Sequence, residues 1–180
     1  MKGIYRYIKL ITEPTIAWND LAQNPKSSNV RIAYLFMLCM IPFSMIGQLI
    51  ALVEIDWNIL ISNALVASVS LLLSLHIATV LCKVYYEKMT SKNISYSDCS
   101  HYVASASAAI YTTVWLVEIT QMPVFWLCSL YTLKIVLESI QTHYLVVDED
   151  KKYTFIWMIS TLLIASPFMV QYILGIMIKG

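Results

Sequence analysis

The stretch YTLKIVLESI (131–140) sits inside a long apolar run, yet it carries Lys134 and, four residues on, Glu138. Whether this segment crosses a membrane decides the fold of the whole chain. The composition around it sets the frame: of 180 residues, 59% are hydrophobic and only 13% are charged. A water-soluble domain carries about 25% charged residues. Such a composition points to an integral membrane protein.

A bilayer core of about 30 Å takes roughly 20 helical residues. Segments 32–53, 59–82 and 155–178 meet that length readily, and 102–117 does so when extended at either end. The remaining candidate, 124–147, holds the opening stretch. Charge placement argues for it. With five spans and the N-terminus inside, every lysine and arginine except Lys134 and Lys179 falls in an inner segment. The outer turns carry Glu54, Asp56 and Glu118 instead, which is the positive-inside asymmetry of a membrane protein. Without the fourth span, Lys151 and Lys152 would move outside.

The sequence therefore predicts an all-α fold, a bundle of five transmembrane helices with a cytosolic N-terminus and an external C-terminus. Residues 1–31 precede a transmembrane domain over 32–180. Trp57, Trp115 and Trp126 fall at outer ends, and Tyr85, Tyr86, Tyr96, Tyr102, Tyr144 and Tyr153 gather towards inner ends, at the headgroup level that such rings prefer. The short outer turns, 54–58 and 118–123, make spans one and two, and three and four, antiparallel neighbours. Cys99, in the inner connection 83–101, is expected to react with external reagents only after permeabilisation.

Ahead of the first span, charges at Lys2, Arg6 and Lys9 interrupt the apolar residues, so no signal-peptide core is expected there. In EPTIAWNDLAQNP (13–25), Pro14 suits the first turn of a helix. Ile16, Ala17, Leu21 and Trp18 can share its apolar face, with Asn19 and Asp20 turned away. The segment reads either as an amphipathic helix on the inner membrane surface or as a capped helix packed on the inner loops.

Chemistry-bearing patterns are sparse. Gly-rich phosphate loops, paired carboxylates and nucleophile triads are absent from the sequence, and His76, His101 and His143 are isolated. Cys39, Cys82, Cys99 and Cys128 share no metal-ligand or disulfide spacing. The net charge of +1 gives no sign of a nucleic-acid partner. The reading is non-enzymatic, with no metal and no cofactor. Small residues (Ala64, Ser68, Ser70 and Ser74 in the second span, and ASASAA at 104–109 in the third) allow close helix approach, either within one bundle or across a homodimer. Pro167 is expected to kink the last span.

The charged stripe is the sharpest feature. Lys134, Glu138 and Gln141 lie on one helix face, with Tyr131 a turn earlier. At 1.5 Å per residue, Lys134 falls about 15 Å and Glu138 about 21 Å below the outer end. A charge at the bilayer centre costs on the order of 3 kcal/mol, so such groups turn inward and pair. His76, roughly 26 Å down the second span, is a candidate neighbour. The stripe reads either as a self-neutralised Lys134–Glu138 pair or as a ligand, ion or proton site.

With the spans placed, the chain resembles the Yip1 family of small five-span membrane proteins. The resemblance rests on EPTIAWNDLAQNP, with Pro14 and Trp18, and on YLFMLCMIPFSMIGQLI (34–50), with Pro42 and Gly47. It extends to the tyrosine-rich fourth span and VVDEDKKYTFIWMI (146–159). It implies a helical bundle with a cytosolic N-terminus and supplies no catalytic residue. The short segment before the first span is closer to bacterial members, in an inner membrane, than to the longer relatives associated with small GTPases. Two functions follow as expectations: a scaffold or adaptor working through helix packing and its cytosolic face, or a small transporter or channel-like protein using Lys134, Glu138 and His76. The expected partners are the lipid bilayer, a second copy or other membrane proteins.

Overall fold

The computed structural model describes residues 2–23, 29–51, 57–120 and 122–179. Among these the chain is all-helical, without strands. In order come α1 (Lys2–Thr12), α2 (Pro14–Gln23), α3 (Asn29–Leu38), α4 (Met40–Ala51), α5 (Trp57–Thr90), α6 (Tyr96–Ala106) and α7 (Ala108–Thr120). A 3-10 segment, Pro123–Leu130, then leads into α8 (Tyr131–Gln141), and a 3-10 turn at Glu149–Lys151 into α9 (Lys152–Lys179). Lys26, Glu54 and Asp56, which enter the charge argument above, lie outside the described residues.

Three helical stretches are long and apolar enough to cross a membrane: Ile61–Thr90, Pro123–Gln141 and Glu149–Met177. α6 and α7, bent by 45° at Ser107, add a fourth if the pair is one span. The segment expected as the first span is divided at Cys39 into α3 and α4, neither long enough alone. The cause is local. Pro42 has no N–H to offer the carbonyl of Leu38 four residues back, and α3 stops at Leu38. Pro167 poses the same problem within α9, but the helix continues. There the hydroxyl of Ser166 donates to the Leu163 carbonyl at 3.3 Å, the group that Pro167 leaves without a main-chain donor.

α5 exposes large apolar side chains and buries many small ones, together with Leu71 and Leu75. On α5, Ile61, Leu65, Val69, Leu73, Ile77, Val80 and Val84 form an exposed apolar stripe at helical spacing. Its inner face instead carries Ala64, Ser68, Ser70, Ser74 and Ala78, all buried. Small inward residues let α5 approach α9, α4 and α6 closely, and large outward ones suit contact with lipid. The hydroxyls of Ser68, Ser70 and Thr79 donate to carbonyls of their own helix, four residues back. Residues 104–109 are buried likewise. Both small-residue stripes are thus used inside the one bundle.

The N-terminal helices are part of that bundle. Tyr7, Leu10, Pro14, Ala17, Trp18 and Leu21 are buried, with Ile11 partly so. Their spacing of three and four residues runs through both helices, the signature of a single packed face. Ile16, expected on that face, is 53% exposed. α1 packs on α2 and, beyond it, on α7 and α3, and α2 packs on α8. The buried face of α2 is packed on α8, not on the inner loops.

Candidate functional site

α8 meets α2 at Glu138, one residue of the charged stripe, and at Ile135. Thr15 donates its hydroxyl to a Glu138 carboxylate oxygen at 2.9 Å, and the Trp18 indole N–H donates to the Ile135 carbonyl at 2.9 Å. Residue numbers rise along α2 as they fall along α8, so the two helices run antiparallel. Beneath this contact the Trp18 ring lies 4.8 Å from that of Tyr144 and 5.6 Å from that of Tyr102. The Ser139 hydroxyl joins the cluster through the Tyr102 oxygen at 3.3 Å.

Secondary structure shifts the depth of the stripe. The 3-10 segment Pro123–Leu130 rises about 2.0 Å per residue, against 1.5 Å for α-helix. Measured from Pro123, Lys134 then lies about 20 Å and Glu138 about 26 Å along the axis. In a core of about 30 Å that began at Pro123, Glu138 would lie closer to the far boundary than a uniform α-helical rise places it. The uniform α-helical rise assumed from sequence placed both groups too shallow.

The expected partners also change. Among the described residues, no ion pair joins Lys134 to Glu138. Lys134 is exposed, and its ammonium lies 5.4 Å from the centroid of the Tyr131 ring, a cation–π contact. Gln141 is exposed at the end of α8. His76 belongs to a different set: its Nε2 meets the Tyr34 hydroxyl at 3.2 Å and its Nδ1 the Tyr96 hydroxyl at 2.9 Å. A neutral imidazole satisfies both, donating through one nitrogen and accepting through the other. His76 thus ties α5 to α3 and α6, and the expected grouping of His76 with Glu138 does not form.

The helix that carries the stripe ends in a defined way. His143 adopts φ 57°, and its N–H donates to the Ile140 carbonyl while that of Tyr144 reaches back to Ser139. These two bonds are a Schellman cap. They end the helix at Gln141, short of the 147 expected from apolar content, and turn Tyr144 under Trp18. Burial and the nearby Asp98 charge raise the Tyr144 phenol to about 12. Burial also holds the Tyr7 phenol well above its usual value, and its hydroxyl donates to the Ala104 carbonyl at 3.2 Å, in the last turn before the α6–α7 bend.

Of the positions on which the family resemblance rests, Pro14 and Trp18 are buried on α2, Trp18 against α8. Pro42 is exposed on α4 and Gly47 is buried there. The residues that sequence reasoning missed are Tyr7, Leu10 and Thr15. The three-and-four spacing running from Tyr7 to Leu21 is the signal that points to the first two. At the other side of the contact, Lys151 donates to the Met89 carbonyl at 2.7 Å and Tyr86 to that of Val146 at 3.3 Å. These bonds fasten the connection after α8 to the end of α5. No family profile, curated protein or solved structure matches this chain.

Proposed function

We propose that the chain is a non-enzymatic membrane scaffold or adaptor of Yip1-like type, with five spans and a cytosolic N-terminus, in a bacterial inner membrane. The observation that carries this reading is the docking of α2 on α8 through Trp18–Ile135 and Thr15–Glu138. Glu138, bonded to the chain's own α2, serves in this reading to position that helix. α2 is held with Ile16 and Asn19 exposed, a surface through which an adaptor meets another membrane protein. The transporter reading loses support because His76 and Glu138 have separate partners.

Flux measurements on liposomes reconstituted with the purified protein test the proposal. Protons and potassium are expected to cross no faster than through protein-free vesicles. A flux that disappears in the Lys134→Met, Glu138→Leu double variant would establish the transporter reading in its place.

A further inference from the structure

A cavity of about 490 Å³ lies between α1, α7, the 3-10 segment and α8. Ile11, Leu116, Leu127, Cys128 and Tyr131 are among its walls, and none of the described residues that line it is charged. Thr112 also lines it, but its hydroxyl is turned back on its own helix, donating to the Ala108 carbonyl at 3.0 Å. Lys134 stands beside the Tyr131 end, one turn further along α8. Its ammonium lies 5.4 Å from the centroid of the Tyr131 ring. Among the described residues it makes no ion pair. Glu138, four residues on, is bonded to Thr15 instead. An apolar cavity is thus bordered by a cation that no carboxylate of the chain neutralises.

We propose that this cavity holds the hydrocarbon chain of a free fatty acid, with the carboxylate beside the Lys134 ammonium. Charge selects the ligand. Lipid tails are as apolar as the cavity walls, so chain burial alone gives no preference over the surrounding bilayer. The preference comes from the carboxylate, which forms a charge-assisted hydrogen bond to the lysine. Size points to a single chain. At about 30 Å³ for each water-sized group, the space takes on the order of fifteen methylene-sized groups, enough for one acyl chain and not for two. Depth favours a free acid over a phospholipid. In a core of about 30 Å that began at Pro123, Lys134 would lie about 10 Å short of the far boundary. A phosphate would have to leave the headgroup level to reach it. A carboxylic acid can cross that distance uncharged, and the neighbouring cation then favours its ionised form.

The test uses the whole protein in phosphatidylcholine nanodiscs, with palmitic acid that carries a diazirine near its chain end. After irradiation, mass spectrometry is expected to find adducts concentrated on Leu116, Leu127 and Cys128. Unlabelled palmitic acid should suppress these adducts saturably, whereas methyl palmitate, with the same chain and no charge, should need at least tenfold more. Lys134→Met should raise the palmitic acid midpoint at least tenfold, and Lys134→Arg should restore it to within about threefold of wild type. Adducts no denser on the cavity than on the exposed stripe of α5, or equal midpoints for acid and ester, overturn the proposal. Suppression by phosphatidic acid at a lower concentration than palmitic acid overturns it too, and assigns the cavity to a phospholipid. Should Lys134→Met fail to fold, the comparison of acid with ester decides.

Discussion

The indole of Trp18 donates its N–H to the main-chain carbonyl of Ile135, 117 residues further along the chain. The contact joins the N-terminal segment to the helix whose charges decide the fold. It also explains why a tryptophan stands among the polar residues of α2: its ring fills the space between Tyr102 and Tyr144, and its one polar atom reaches a carbonyl.

Replacing Trp18 should therefore act on the whole bundle. The side chain is 0% exposed, and truncating a buried tryptophan to alanine costs about 3–5 kcal/mol. Trp18→Phe retains most of the ring and loses the hydrogen bond, with an expected cost nearer 1 kcal/mol. Denaturant titration in mild detergent measures both. Limited proteolysis should release residues 2–23 from the alanine variant before the bundle opens. Equal stability of Trp18→Ala and wild type would mean that α2 does not hold α8.

The pairing within the stripe can be apportioned by double-mutant cycles. Thr15→Val with Glu138→Gln should show a coupling of about 0.5–1.5 kcal/mol, modest because the hydroxyl is solvent-exposed. Lys134→Met with Glu138→Gln should show coupling within about 0.3–0.5 kcal/mol of zero, the range of independent sites. The reverse ranking would restore the intrahelical ion pair that spacing alone suggests.

Spacing supports that ion pair because a position four residues on shares a helix face, yet it says nothing of what lies opposite. The apolar segments were legible because apolar content is a property of each segment by itself. The identity of Glu138's partner depended on α2, more than a hundred residues away. Two local breaks were half legible: Pro42 and Pro167 both announce an interrupted ladder. Only the structure shows that Ser166 repairs one of them. The 3-10 geometry of Pro123–Leu130 left no mark in the composition. It carries Glu138 about 3.5 Å further along the axis than a uniform α-helical rise would.

Base should loosen the aromatic cluster in a defined window. The Tyr144 phenol is raised to about 12 by burial and the Asp98 charge, whereas an unfolded tyrosine ionises near about 10. The raised value favours the neutral form in the fold. Its stabilisation is fully present below about pH 10 and is lost as the pH climbs to about 12, with a slope of up to about 1.4 kcal/mol per pH unit for the single proton. Tyr144→Phe should flatten the stability profile across this window by one proton. Asp98→Asn should move the loss to lower pH. Urea titrations at half-unit intervals from pH 9 to pH 12 measure both changes, and a Tyr144→Phe profile parallel to wild type would refute the assignment.

Orientation is tested with engineered cysteines, because the native Cys99 cannot report it. Its thiol is buried and donates to the Thr79 carbonyl at 3.3 Å, so it stays silent on either side of a membrane. Cys39 and Cys128 are exposed and must first be changed to serine. In that background, Asn93→Cys samples the connection between α5 and α6, and Met122→Cys the turn between α7 and the 3-10 segment; both positions are exposed. A membrane-impermeant maleimide should label Met122→Cys on intact cells and Asn93→Cys only after permeabilisation. The opposite result would invert the topology and place α2 outside. Labelling of both on intact cells would mean that 96–120 does not cross.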